Sequence, residues 1–370
     1  MKIFFRNFLI VLFFAIPALL TAGAFMFWFY MDKPYGDREN IPVIVNIPRG
    51  MSFQELSDEL VHRGLVHNAD YLLWRYKISV RLGIAGNYQA GRYSLKPGLK
   101  PSEIIQAITS PSNEQRFYIK LLIPPGLTSS QIAQIVEEAD IALSEDVKDA
   151  IVLLASEYPI LQTENGLQGY LFPDTYKIEP LLDTPSQNSK QAAEAVIRIM
   201  ADRFFRVLDE IYPSWNKLTR MQLHEKIILA SIVEREYRAV EEAPIIAAVF
   251  NNRLKEGMLL QSCATVVYTI EETSEGEPFK GEYLRFNRRI FEQYLEIDSP
   301  YNTYMYSNLP PGPISLAGRT ALEAAFYPAS VDYLYFVVKD PAKGTHVFSR
   351  DYFDHLTARS SYLNQFVVKE

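Results

Sequence analysis

Thiols and imidazoles are scarce in this chain. Across 370 residues there is one cysteine, Cys263, so an internal disulfide framework and a cysteine-built zinc cage are both excluded. Five histidines occur, none in a His-Glu-x-x-His pattern, which leaves a metalloenzyme little to stand on. No metal or other cofactor is expected. Positive charge is short as well: 37 Lys and Arg stand against 44 Asp and Glu. The formal charge of -7 and a pI near 5.5 argue against a nucleic-acid partner. Low-complexity tracts are absent too. What remains, 48% hydrophobic and 22% charged, is ordinary for a folded protein, and the length predicts two or three domains.

One stretch lacks charge altogether. From Phe8 to Met31 no Asp, Glu, Lys or Arg occurs, a run long enough to cross a ~30 Å hydrocarbon core. Lys2 and Arg6 precede it, so the positive-inside rule places the N-terminus in the cytoplasm and the rest outside. Trp28 and Tyr30 stand where an interfacial aromatic belt would lie. A cleaved signal peptide is the competing reading, with Ala22-Gly23-Ala24 as the cleavage site. The apolar run continues through Phe29, which favours a retained anchor over residues 1–31. A polar linker follows over 32–42.

A pattern then repeats. "VNIPRGMSFQELSDEL" (Val45 to Leu60) recurs as "LLIPPGLTSSQIAQIV" (Leu121 to Val136), and more loosely as "YSLKPGLKPSEIIQAI" (Tyr93 to Ile108). Each copy predicts a short strand, a turn at or beside Pro-Gly and a short amphipathic helix. Ser52 and Thr128 are suited to N-caps and Pro101 to a first helical turn. We expect small α+β units over 43–120 and 121–165: structural modules, or glycan binders. Residues 166–370 predict a mixed α+β domain. A long helix runs from about Ser189 to Tyr212, and Gly257 stops a helix that begins near Glu241. Strands "YLYFVV" and "THVFS" flank a turn at Lys343-Gly344 before a final helix.

The stretch "KIILASIVEREYR" (Lys226 to Arg238) packs six aliphatic residues into seven positions and then presents Glu234 and Glu236. On a helix Glu236 follows Val233, Ile232 and Leu229 on the bulky stripe, whereas Glu234 lies about 200° away below Ser231 and Ala230. A carboxyl on the bulky stripe is expected to be desolvated, which raises its pKa toward that of a general acid. The bland alternative is a helix-end residue paired with Arg235 or Arg238.

The run Leu229-Ala230-Ser231-Ile232-Val233-Glu234-Arg235-Glu236 resembles the signature of the YceG-like family of endolytic murein transglycosylases, whose members usually carry Lys where Arg235 stands. The resemblance extends through Gly169 to Tyr176, Asn252-Arg253-Leu254, Gly257-Met258, Leu260-Gln261-Ser262 and Thr265 to Tyr268. It continues through Ser299 to Tyr304, Leu309 to Ile314, Asp332 to Val337 and His346 to Ser349. It covers nearly the whole chain. It implies a single-pass protein of the bacterial inner membrane, a LysM-like module and an exocytoplasmic catalytic domain over 166–370. The implied partner is the peptidoglycan glycan strand, with the cell-wall synthesis machinery as a further one. The second Glu of the signature is catalytic in the family, which maps onto Glu236.

That chemistry needs one acid where hydrolytic glycosidases need two. The muramic acid's own 6-hydroxyl closes on its anomeric carbon, leaving a 1,6-anhydro end. One glutamic acid protonates the leaving oxygen and then takes the hydroxyl proton. Gln261, Ser262 and Thr265 are candidates for binding acetamides, and Tyr301, Asn302 and Tyr304 for binding or stacking on sugar rings. His346 is expected to be a structural hydrogen-bond partner. Family members usually have Asp-Pro where this chain has Cys263-Ala264. The alternative function is therefore a catalytically impaired glycan-binding scaffold that recruits wall-synthesis proteins.

Overall fold

The computed structural model describes residues 13, 15–23, 26, 30–35, 41–110, 117–161, 163–179, 185–273 and 294–366, without the side chains of 185–187, 273 and 366. The chain forms two compact units, residues 1–119 and 120–370, each with mixed α+β content. Among the described residues no helix is long and apolar enough to cross a membrane. Much of the expected anchor, Trp28 included, lies outside the described residues.

In the first unit, strand β1 (Val43–Ile47) is followed by helices α1 (Phe53–His62) and α2 (Ala69–Arg81), strand β2 (Gly91–Leu95) and helix α3 (Pro101–Thr109). The repeated turn works as its residues require. Ser52 Oγ accepts from Glu55 N at 3.2 Å while Ser52 N donates to Glu55 Oε2 at 2.7 Å, a reciprocal cap that starts α1. Pro101 opens α3, where its missing N–H costs nothing. β1 and β2 pair antiparallel, Val43 opposite Leu95 and Ile47 opposite Gly91. Alternation then turns Val45, Ile47, Tyr93 and Leu95 inward onto Leu56, Leu60, Leu72, Ile104 and Ile108. Two copies of the sequence repeat are thus the two halves of one unit.

The chain just after the apolar run is fastened to this unit. Asp32 accepts from Ser102 N at 3.1 Å and Ser102 Oγ at 2.7 Å, and Arg75 Nε lies 3.9 Å from it. Gly98 N donates to Tyr35 O at 3.0 Å.

The second unit holds the third copy as strand β3 (Ile119–Leu122) and helix α4 (Ser129–Glu138), capped by Thr128 and Gln131 as α1 is capped. Helix α5 (Ser144–Leu153) follows, and strand β4 (Thr175–Ile178) pairs with β3. Helix α6 (Pro185–Ile211) leaves helical geometry only at Asn188. Helix α7 (Arg220–Glu236) is the buried axis, packed by helices α8 (Ala243–Lys255) and α10 (Arg319–Phe326); helix α9 (Cys263–Thr273) also touches it. The hairpin of strands β5 (Tyr335–Asp340) and β6 (Thr345–Ser349) and helix α11 (Tyr352–Phe366) complete the unit. Gly257, at φ +66°, ends α8 as its sequence position predicts.

From Ile227 to Val233 α7 is buried on all sides: Ile227, Ile228, Leu229, Ala230, Ser231, Ile232 and Val233 are each at most 3% exposed. Small Ser231 and Ala230 therefore face protein as fully as their bulky neighbours do. Ser231 Oγ accepts from Ile314 N at 3.0 Å, and Ser315 Oγ donates to Ser231 O at 3.0 Å, which pins the Pro-rich loop to the helix.

Candidate active site

The last turn of α7 carries both carboxylates, and tertiary packing separates their surroundings. Glu234 Oε2 accepts from Gly318 N at 2.8 Å, at the N-terminal cap of α10. Desolvation by burial nevertheless dominates and pushes the Glu234 carboxyl up to about 7, with the Gly318 hydrogen bond opposing it. The expectation that desolvation singles out the bulky stripe, and with it Glu236, therefore needs correcting. A helix buried all round has no wet face to contrast with a dry one, and the start of α10 closes over Glu234.

Glu236 looks into a polar group instead. Ser262 Oγ donates to Glu236 Oε1. Ser262 is itself 2% exposed and held from behind: its N–H donates to Thr303 Oγ1 at 3.1 Å, and Thr303 Oγ1 lies 2.8 Å from Thr265 Oγ1. Thr265 Oγ1 donates to Ser262 O at 2.7 Å and closes the loop of bonds. A serine hydroxyl can donate to a carboxylate or to the carbonyl oxygen of the neutral acid, so this contact serves both protonation states.

Cys263 follows, with its Sγ 3.2 Å from Tyr304 Oη. Cys263 is exposed to solvent at the edge of this group. Desolvation, then the charge of Glu236, pushes the thiol up to about 11, so it is neutral at pH 7 and a poor nucleophile. Tyr304 feels the same carboxylate, and burial drives its phenol pKa up. Buried Arg253 is near enough to sense Glu236 and Tyr304 electrostatically. Its guanidinium holds the chain before the site, donating from Nη1 to Leu260 O at 2.8 Å and from Nε to Leu334 O at 2.6 Å.

The structure thus brings Glu236, Ser262, Thr265 and Tyr304 together. Gln261 flanks them, exposed, at φ +51° with its N–H on Thr303 O at 3.0 Å. Two further residues are spent on the protein. Asn302 is fully buried, its Nδ2 donating to Leu295 O and Ile297 O at 2.9 Å each. Tyr301 Oη accepts from Asn165 Nδ2 at 2.6 Å, and its ring packs on Tyr268 with centroids 4.8 Å apart. His346 pairs with Glu242, Nδ1 to Oε2 at 2.7 Å. Thr303 and Arg253 are the members that sequence reasoning did not single out. Each lies in a quoted motif, but nothing in their spacing shows that they meet.

The geometry invites comparison with known proteins. The model of the YceG-like family matches residues 45–361. An endolytic murein transglycosylase of Bacillus subtilis is 29% identical over 360 residues, 94% of this chain and 92% of that protein. One of Streptococcus pneumoniae is 28% identical over 392 residues, spanning 96% of this chain but 64% of the longer relative. The crystal structure of a yceG-like protein from Listeria monocytogenes superposes with a TM-score of 0.52 at 28% identity, covering 86% of this chain and 99% of that one.

Proposed function

The chain belongs to the YceG-like family, and on that footing we propose that it is an endolytic lytic transglycosylase cutting the MurNAc-GlcNAc β-1,4 bond of nascent peptidoglycan, with Glu236 as acid and base. The observation that carries the assignment of Glu236 is its engagement by buried Ser262 beside Tyr304 and Cys263. Glu236 gives its proton to the glycosidic oxygen as the bond from that oxygen to the anomeric carbon breaks. The muramic 6-hydroxyl oxygen bonds to the same carbon, and its proton returns to Glu236. No water is consumed and the acid is regenerated. In this reading Gln261 and Tyr304 contact sugar, supported by their position beside Glu236, while Ser262 and Thr265 act through Glu236.

Residues 1–31 form a single N-in anchor in the inner membrane, and the catalytic unit lies outside. The β1-α1-α2-β2 order supports a LysM-like reading of the first unit and glycan strands as its partner. Wall-synthesis proteins are a further partner class.

Glu234 offers the specific rival, because a carboxyl at about 7 suits a general acid. The deciding measurement is mass spectrometry of peptidoglycan treated with wild type, Glu236→Gln and Glu234→Gln. Glu236→Gln should lose on the order of 10⁴-fold in release of 1,6-anhydro ends, since one residue serves both steps. Glu234→Gln should lose far less. The reverse ranking transfers the role to Glu234, reducing ends from wild type make the protein a hydrolase, and an inactive wild type that binds glycan makes it a scaffold.

A further inference from the structure

Helix α2 leaves the first unit with an uncovered face at its C-terminal half. Trp74 is 44% exposed and Val80 38%, and beyond the helix Leu82 reaches 63% and Ile84 70%. Exposed Lys77 and Arg81 lie one turn apart among them, and the helix's one acid, Asp70, sits at the opposite end. The exit is built rather than frayed. Gly83 takes φ +70°, its N–H donates to Val80 O at 3.0 Å, and Ile84 N donates to Ser79 O at 2.8 Å. Large apolar side chains interleaved with cations make a surface of the kind that seats in lipid headgroups.

A second observation says which surface is within reach. Asp32 directly follows the apolar run, and it is bonded to Ser102 of α3 and faces Arg75 of α2, the neighbour of Trp74. Tyr35 is tied in as well, through Gly98 and through its ring 5.1 Å from that of His67. The unit is therefore held at the end of the run instead of hanging from a loose tether.

We propose that the exposed face of α2 and its exit, Trp74, Lys77, Val80, Arg81, Leu82 and Ile84, lies in the headgroup layer of an anionic bilayer, so that the first unit rests on the membrane surface. The proposal rests on the anchor reading. The cations meet anionic phosphates while Trp74, Leu82 and Ile84 enter the acyl boundary.

The test uses the full chain with Cys263→Ser, reconstituted into vesicles of phosphatidylcholine alone or with a quarter phosphatidylglycerol. Single spin labels are carried on Leu20→Cys, Ile84→Cys or Asp58→Cys. Collision with oxygen relative to a water-soluble nickel complex reports depth. The label at 84 should show a several-fold rise in that ratio when phosphatidylglycerol is present. The rise should disappear in Lys77→Glu/Arg81→Glu, while the label at 58, on α1, stays in water. A label at 20 buried in hydrocarbon beside a label at 84 in water in both vesicles overturns the surface proposal and leaves the anchor standing. A label at 20 in water removes both. Equal insertion in neutral vesicles, unmoved by charge reversal, removes the anionic-lipid claim. Occlusion at 84 that follows protein density rather than lipid charge shows a second copy on this face and overturns the proposal as well.

Discussion

Cys263 begins α9, so its replacement by aspartate would be welcome to the helix: a carboxylate in the first turn complements the positive N-terminal end. The same carboxylate would stand within electrostatic reach of Glu236, because the Cys263 thiol already senses that charge. Cys263→Asp should therefore fold as wild type does and alter activity moderately. A like charge disfavours ionisation of its neighbour, so the alkaline limb of the pH-rate profile should move upward. A downward move would show that Glu236 is not the acid. Glu234 makes a separate prediction about stability. Its folded pKa of about 7 lies above its ordinary 4.5, so the fold favours the neutral form. Below 4.5 both states are protonated and no penalty applies. As pH rises from 4.5 to 7 the native carboxyl resists ionisation and stability falls, by about 3 kcal/mol in all, and it is flat above. Urea midpoints of wild type and Glu234→Gln should coincide near pH 4 and diverge through this window, with the variant ahead at pH 8.

At the scale of elements, Gly169 joins the loop before β4 to the Pro-rich loop over α7. It takes φ +83°, and a Cβ there would sit 2.4 Å from Pro313 Cβ and 3.1 Å from Ile227 Cγ2. Gly169→Ala should cost about 2–5 kcal/mol through backbone strain and overpacking, and lower the melting temperature by roughly 5–15 °C in a calorimetric scan. An unchanged melting temperature would mean that the two loops part without cost. Which elements were legible in the sequence follows the range of the forces that make them. The starts of α1, α3 and α4 could be read because a cap or a first-turn proline acts within four residues, and Gly257 marks the end of α8 for the same reason. The sequence does not announce α9: its Cys263-Ala264-Thr265-Val266-Val267 opening carries β-branched residues, and the helix is held by burial of Val266 and Ile270. Motif order brought Glu236, Ser262 and Tyr304 into view. The Ser262-Thr303-Thr265 bonds and the burial of Glu234 depend on loops 38 to 84 residues away, where periodicity has nothing to say.

For the whole molecule, the anchor makes the first prediction. A segment apolar from Phe8 to Met31 outlasts the core of a signal peptide, so the mature protein in membrane fractions should keep its N-terminal residues. N-terminal sequencing that begins just after Ala24 would sink the idea. The second unit has a different property, set by where its partners lie along the sequence. Glu242, six residues beyond Glu236, is paired with His346 across 104 positions, and Arg238 fills the space beside Gly344, whose Cβ would come within 2.4 Å of it. The segment just after α7 is thus pinned by a hairpin made about a hundred residues later. At 5–20 residues per second, the ribosome needs roughly 5–20 s to add the residues that separate Glu242 from His346. Throughout that interval the glutamates exist but the hairpin that pins the segment after them does not. The segment after α7 therefore settles late, on a partner that the ribosome delivers seconds after the glutamates themselves.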